Sequence, residues 1–250
     1  MLARLEMKLD KKEELSGQMA SSFHGVLMEL LPSEYAEELH ASKLHPYTQH
    51  LERRDADWYW IVTALDEDTT DRILKKVLMG LREFRLKKHQ LTLRVVARCY
   101  QELPETELAR SFYQEQTSKY ITIRFVTPTA FKQNGRYVNY PDIRAIFSNL
   151  MKRYDAVSEE SMYDEDTLDQ LTEKAVVSRY ELRSTIFSIE GVRIPAFIGK
   201  MTLRMDGTQT MTNFANMLFH FGSYSGIGIK TSLGMGAVQL LTERIERNEG

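Results

Sequence analysis

Residues 226–240 read GIGIKTSLGMGAVQL, Gly226 to Leu240. Four of the chain's 13 glycines, Gly226, Gly228, Gly234 and Gly236, bracket Lys230, Thr231 and Ser232. Glycine is used where the backbone needs φ > 0 or where another backbone comes close. A Gly-rich turn carrying Lys, Thr and Ser also invites phosphate. A nucleotide P-loop needs G-x-x-x-x-G-K-[ST] running into a helix. Here Ile229 precedes Lys230, and Met235, Ala237, Val238, Leu240 and Leu241 read as a strand. That leaves two readings: a tight turn before a final strand, or a cradle in which backbone amides and Lys230 grip a larger polyanion.

Outward from this loop, the chain falls into two similar halves. MLARLEMKLD alternates polar and apolar residues, the period of a half-buried strand. GQMASSFHGVLMELL places Phe23, Val26, Leu27, Leu30 and Leu31 at helical spacing, and Pro32 ends it. Ser33 is expected to cap a second short helix running to about His40. HPYTQHL and DWYWIVTAL read as strands, EDTTDRILKKVLMGL as an amphipathic helix and QLTLRVVARCY as a strand. The order is β-α-β-β-α-β, the ferredoxin-like arrangement.

The second half repeats it. KYITIRFVTPTAF is a strand and YPDIRAIFSNLMKRY a helix. SRYELRSTIFSIEG and VRIPAFIGKMTLRMDG are two long strands turning near Glu190 and Gly191. TQTMTNFANMLFHFGSYS is a helix leading into the glycine loop and the last strand. The expectation is an α+β protein of two tandem ferredoxin-like domains, 1–115 and 116–250, joined near Gln114 to Ser118. Clefts between such domains are where ligands bind.

The bulk numbers exclude several classes. The chain has 250 residues, 42% apolar and 27% charged, with net charge −2, the balance of an ordinary globular protein. No apolar run approaches the roughly 18 residues of a membrane span. The N-terminus lacks a signal-peptide apolar region, so a cytoplasmic protein is expected. The single Cys99 rules out an internal disulfide or a cysteine metal cluster, and is expected to be a small core residue. Lys75 to Arg98 carries eight bases and one acid, whereas Asp155 to Glu173 carries eight acids and no base. The near-neutral total therefore hides two opposite patches, and local field matters more to a polyanion than the sum.

Three stretches carry a resemblance: the tandem order with G-h-G-x5-G-h-G (h apolar) before the last strand, FVTPTAF…YPDIRAIFSNL, and FHGVLMELL…LHASKLHPYT. Together they resemble the endoribonucleases of the RAMP superfamily that process CRISPR repeat RNA. The resemblance implies cleavage of precursor CRISPR RNA within its repeats, without metal or cofactor. The RNA's own 2′-OH would attack the phosphorus, leaving a 2′,3′-cyclic phosphate and a 5′-OH. The partner implied is CRISPR repeat RNA, with a CRISPR effector complex as a further one, for a monomer or homodimer. The family's principal histidine matches His40, and its tyrosine on the first helix falls on Met28. Its supporting lysine is nearest in type to Lys43, while His45 lies closer in alignment. The glycine loop also occurs in RAMP subunits that bind RNA without cutting it, the alternative reading. A small-molecule enzyme using the cleft is a third.

Residue chemistry supports the same places. Histidine titrates near pH 6.5 and can act as acid or base at neutral pH. Of the six histidines, His40 sits in the last turn of a helix, where the dipole favours imidazolium. His24 is expected to point off the core face, and His45 to lie in a loop before Pro46. His50, His89 and His220 read as structural or solvated. His40, His45 and His50 are spaced five apart, off helical register and without a carboxylate cluster, so no metal site is expected. Tyr35 and Tyr47 flank His40 and are candidates to orient a 2′-OH. Gly226, Gly228, Lys230, Ser232, Gly234 and Gly236 are the candidate RNA-binding set, with Lys132 and Arg136 weaker ones.

Overall fold

In the computed structural model, residues 1–10, 15–42, 44–113, 117–158, 161–189 and 191–241 are described. The first half holds β1 (Leu2–Leu9), α1 (Ala20–Leu30), α2 (Ser33–Ala41), β2 (Tyr47–Arg54) and β3 (Asp57–Ala64). It continues with α3 (Glu67–Thr69), which runs on as wider π-type turns over Thr70–Leu78, then β4 (Glu83–Leu86), β5 (Leu91–Leu103) and α4 (Glu105–Tyr113). The second holds β6 (Tyr120–Thr129), the β7–β8 hairpin (Phe131–Gln133, Arg136–Val138), α5 (Ile143–Asp155) and α6 (Glu165–Lys174). β9 (Ala175–Ile189), β10 (Val192–Met205), α7 (Gln209–Ser225) and β11 (Val238–Leu241) complete it.

The strand orders are β2-β3-β1-β5-β4 and β11-β6-β10-β9, with every pairing antiparallel. In each sheet the first strand of the unit lies between the third and the last, so the protein is two ferredoxin-like units in tandem. β1 shows the local cause. Ala3, Leu5, Met7 and Leu9 are buried while Arg4, Glu6 and Lys8 are half-exposed, the outcome of a period of two on a one-sided sheet. Helix starts are set by side chains: Asp142 accepts from Ala145 N at 2.9 Å, and Asp164 from Thr167 N at 2.8 Å.

The sequence reading needs amending at several points. Pro32 takes the cap position of α2, and Ser33 is its first residue without a side-chain cap bond. The Thr70–Leu78 stretch closes through Met79 N to Leu74 O, an i→i+5 bond. β4, α4 and the β7–β8 hairpin were not foreseen; each strand of these hairpins is only three or four residues long before its partner β5 or neighbour hairpin strand is counted. The acidic stretch contains α6, and Arg144 on α5 pairs with its Glu165 and Asp169. Cys99 is exposed on β5, because that strand's outer half has lost the simple alternation that would bury it. Glu190, half of the expected β9–β10 turn, and residues 114–116 of the expected boundary lie outside the described residues.

The halves are stitched by buried polar groups. Thr48 and Thr63 both donate to Tyr224 O on α7, at 3.1 and 2.7 Å. Gln49, only 1% exposed, donates to Ala20 O and Ser232 O and accepts from Trp60 Nε1. Gln18 reaches the outer edge of β9, donating to Ile186 O and accepting from Ser188 N, both at 2.9 Å. α4 packs on α7 through Phe112 and Phe214, and Leu108 joins the second half's core. No helix among the described residues is long and apolar enough to cross a membrane.

Candidate active site

Three histidines lie within electrostatic reach of one another, and His24 touches the glycine loop. His24 comes from the middle of α1, His40 from the last turn of α2, and His45 from the segment between α2 and β2. Charge on His40 bears on both other rings. His40 is exposed, His24 and His45 half-buried, so the cluster opens to solvent at His40.

Burial, then the charges of His45 and His40, push the His24 imidazolium down to about 4. Its ring hydrogen-bonds the Ser232 backbone, and Nδ1 lies 3.0 Å from Tyr47 Oη. With one ring N–H given to a carbonyl, Nδ1 is left to accept the tyrosyl proton. Tyr47 is fully buried and its phenol is held protonated by that burial. His45 is also lowered, by burial first and then by the Arg153 and His40 charges. Its Nδ1 is buried with no partner among the described residues.

The glycine loop forms the opposite wall. All four glycines have positive φ, and all are buried. A Cβ on Gly234 would land on the Ala20 Cβ, and one on Gly236 on Ile227 O. The glycines thus let the loop lie against α1 and against its own returning strand. Three of the four glycine amides are occupied inside the fold: Gly226 N donates to Gly222 O, Gly228 N to Asn149 Oδ1 at 2.8 Å and Gly236 N to Pro128 O at 3.0 Å. Ser232 is buried, with its carbonyl taken by Gln49 and His24. Lys230, at φ 56°, is the exposed residue of the loop.

Other expected residues sort by place. Tyr35 lies in the core, its hydroxyl toward Thr69 Oγ1 and its ring under Arg72, because it falls on the buried face of α2. It does not face the histidines. Met28 is half-buried in an open groove between α1 and α2 that His40 also lines. Lys43 lies outside the described residues. Lys132 and Arg136 are exposed on the β7–β8 hairpin, which the loop touches through Ile229 N to Ala130 O. His50 lies on β2, lowered to about 3 by burial and by Arg4 and Arg54. His89 contacts Ser22 at 3.0 Å, and His220 lies on α7 by Tyr224. Of the basic run, Lys75, Lys76, Lys87 and Arg94 pair with carboxylates.

One residue at the site was missed. Arg153, in the last turn of α5, is 6% exposed and its Nη2 donates to Thr231 Oγ1 at 3.0 Å. Burial alone lowers it to about 10. The sequence reading had assigned only the apolar face of this helix. A basic residue between Lys152 and Tyr154 in a helix's last turn, three residues after the apolar Leu150, was the available signal.

Two ferredoxin-like units closed on each other around a glycine-rich loop, with histidines on the seam, define a protein of the RAMP fold. A solved RAMP protein that binds different RNA substrates shares this fold, with TM-score 0.64 and 17% identity over 96% of this chain and 100% of that one. The chain belongs to the Cas6 family of CRISPR-associated endoribonucleases. It is 38% identical to the Cas6 endoribonuclease of Streptococcus thermophilus over 89% of this chain and 91% of that protein. Residues 123–238 match the family pattern for CRISPR-associated endoribonuclease Cas6. A Cas6 product complex superposes with TM-score 0.78 at 26% identity, covering 96% of this chain and 99% of that one.

Proposed function

We propose that this chain binds CRISPR repeat RNA and cuts the precursor transcript within its repeats at the His24–His40–His45 cluster. The observation that carries the reading is the convergence of two kinds of histidine. His45 is kept neutral by burial and neighbouring charge. His40 is exposed in the last turn of α2 and faces solvent, where it serves as the proton donor. A neutral imidazole is a base and an imidazolium an acid, the two groups that transesterification needs. His45 takes the proton from the 2′-OH as the 2′-oxygen bonds to phosphorus. The P–O5′ bond breaks, and His40 gives its proton to the leaving 5′-oxygen. The products are a 2′,3′-cyclic phosphate and a 5′-OH, with no metal required. His24 holds the wall of the site, bridging Tyr47 and Ser232.

Lys230 supplies a phosphate contact from the loop, and the exposed cations of the β7–β8 hairpin extend it. The test is cleavage of end-labelled repeat RNA in EDTA, with both new ends mapped. Cyclic-phosphate and 5′-OH ends support the reading. Binding without any cleavage, with or without Mg²⁺, assigns the chain to the non-cutting RAMP subunits. Activity that EDTA abolishes and Mg²⁺ restores overturns the proton-transfer chemistry.

A further inference from the structure

Arg153 presents an electrostatic imbalance. The residue is 6% exposed. Its one hydrogen bond among the described residues goes to the neutral hydroxyl of Thr231. Among the described residues its Nε is buried with no partner and no carboxylate charge bears on it. Taking an unpaired cation out of water costs several kcal/mol, on the order of that for any lone buried ion. Two other arginines, Arg4 and Arg98, also bury Nε without a partner. Each of those, however, donates to a backbone carbonyl, of Ser223 and Leu81, and so faces the negative end of a peptide dipole. Among the described residues Arg153 has no such acceptor.

Its position gives the imbalance a direction. Thr231 belongs to the turn between Lys230 and Gly234, the loop that walls the histidine cluster. The charge of Arg153 is felt at His45, second only to burial. Through Thr231, one cation from the second half therefore stands on the same short turn whose Ser232 carbonyl His24 touches. A guanidinium has five N–H donors in a planar fork that matches phosphate oxygens. In a dry site, fixed positive charge aimed where negative charge develops contributes more than it does in water.

We propose that Arg153 is an anion-receiving residue of this site, held in place by Thr231, whose ligand is the phosphate at the bond to be cut. Its counter-charge arrives with the RNA. As the phosphorus becomes five-coordinate, the added negative charge on its non-bridging oxygens falls on the guanidinium. The assignment to the scissile phosphate rests on the endonuclease reading; the anion site itself does not.

The experiment separates the two. Side-chain Nε–H signals of arginine are followed by NMR while inorganic phosphate is added to the full chain, the Arg153 signal being the one lost in Arg153→Lys. A saturable shift of that signal is expected. In parallel, repeat RNA is cut under single-turnover conditions by wild type, Arg153→Lys and Arg153→Gln. Arg153→Gln should be slower by about 10²-fold, the usual cost of one oxyanion-stabilising group. Arg153→Lys should recover part of it, while binding of a 2′-deoxy, uncleavable repeat changes less than about tenfold. Sulphur at a non-bridging oxygen of the cut phosphate should slow wild type more than Arg153→Gln, a difference that a merely structural arginine does not produce. If Arg153→Gln fails to fold, Arg153→Lys and Thr231→Val carry the same comparison. A phosphate-responsive Arg153 in a chain that cuts no RNA keeps the anion site and removes the endonuclease reading. A cutting enzyme whose Arg153 signal ignores phosphate, or whose thio effect survives Arg153→Gln, overturns the anion site alone.

Discussion

Tyr47 Oη and His24 Nδ1 are 3.0 Å apart and their rings nearly parallel, with an interplanar angle of 8°. The pair fixes the imidazole between β2 and the glycine loop. Removing the hydroxyl leaves Nδ1 buried without a donor, a cost of about 1–3 kcal/mol. Tyr47→Phe should therefore lower the unfolding midpoint clearly while slowing RNA cleavage less than about tenfold. A Tyr47→Phe variant that melts as wild type and loses all cleavage would reverse the assignment, making Tyr47 part of the chemistry.

His40→Ala should bind repeat RNA nearly as wild type and cut it about 10²–10⁴ times more slowly, the usual contribution of a general acid or base. Affinity persists because phosphate contacts elsewhere dominate nucleic-acid binding. Single-turnover rates against filter-binding affinities check it. Unchanged cleavage moves the acid role to another residue.

Lys230→Ala should weaken all RNAs about equally, since a phosphate contact carries no sequence information. The log–log salt slope should shrink by roughly 0.7, the value for one single-strand phosphate. An unchanged slope makes the loop purely architectural.

Gly234→Ala tests that architecture without RNA. The new methyl meets Ala20 at the start of α1, and φ is +103°. Both effects oppose folding, so a loss of about 1–3 kcal/mol or more is expected. Adding Ala20→Gly should return the steric part and leave the backbone strain. Full recovery, read by chemical denaturation, contradicts the strain at φ +103°.

Stability should fall in mild acid. The folded-state pKa values of His24 and His50 are lowered, to about 4 and about 3, from 6.5. In both, the unfolded state binds the proton more tightly, so their contribution is complete above about pH 6.5 and is lost as pH falls toward 4 and then 3. The unfolding midpoint should drop steeply from pH 6.5 to 4.5, and His24→Gln should flatten that slope. A midpoint flat over this range contradicts the buried, neutral state of both rings.

Much of this was readable from periodicity. The alternation of β1 and the helical spacing of Phe23, Val26 and Leu27 were enough to place strand and helix, and the repeated order to give the tandem fold. Short elements escaped because three or four residues, as in β7 and β8, carry too few periods to register. At the site, the place of His40 in a helix's last turn was readable, while its expected role came from the resemblance. Tyr35 packs in the core as an amphipathic tyrosine rather than turning to His40, because flanking in sequence says nothing of which helix face a side chain takes. That three of the four glycine amides are taken inside the fold was not readable, because partners such as Asn149 lie 79 residues away in the chain. Arg153 was hidden for a related reason: a cation becomes informative only once its burial and missing counter-charge are seen.

β9 is a 15-residue strand at the rim of its sheet, and such a rim offers unpaired amides and carbonyls to any passing chain. The carboxamide of Gln18, carrying one donor and one acceptor, occupies the Ile186 and Ser188 positions as a peptide group of a neighbouring strand would. One side chain thereby acts as a stub of a fifth strand, supplied by the other half of the molecule. Pairing of a foreign strand is opposed at these two positions for as long as the two halves stay docked, so the same closure that brings the halves together also occupies part of an open edge.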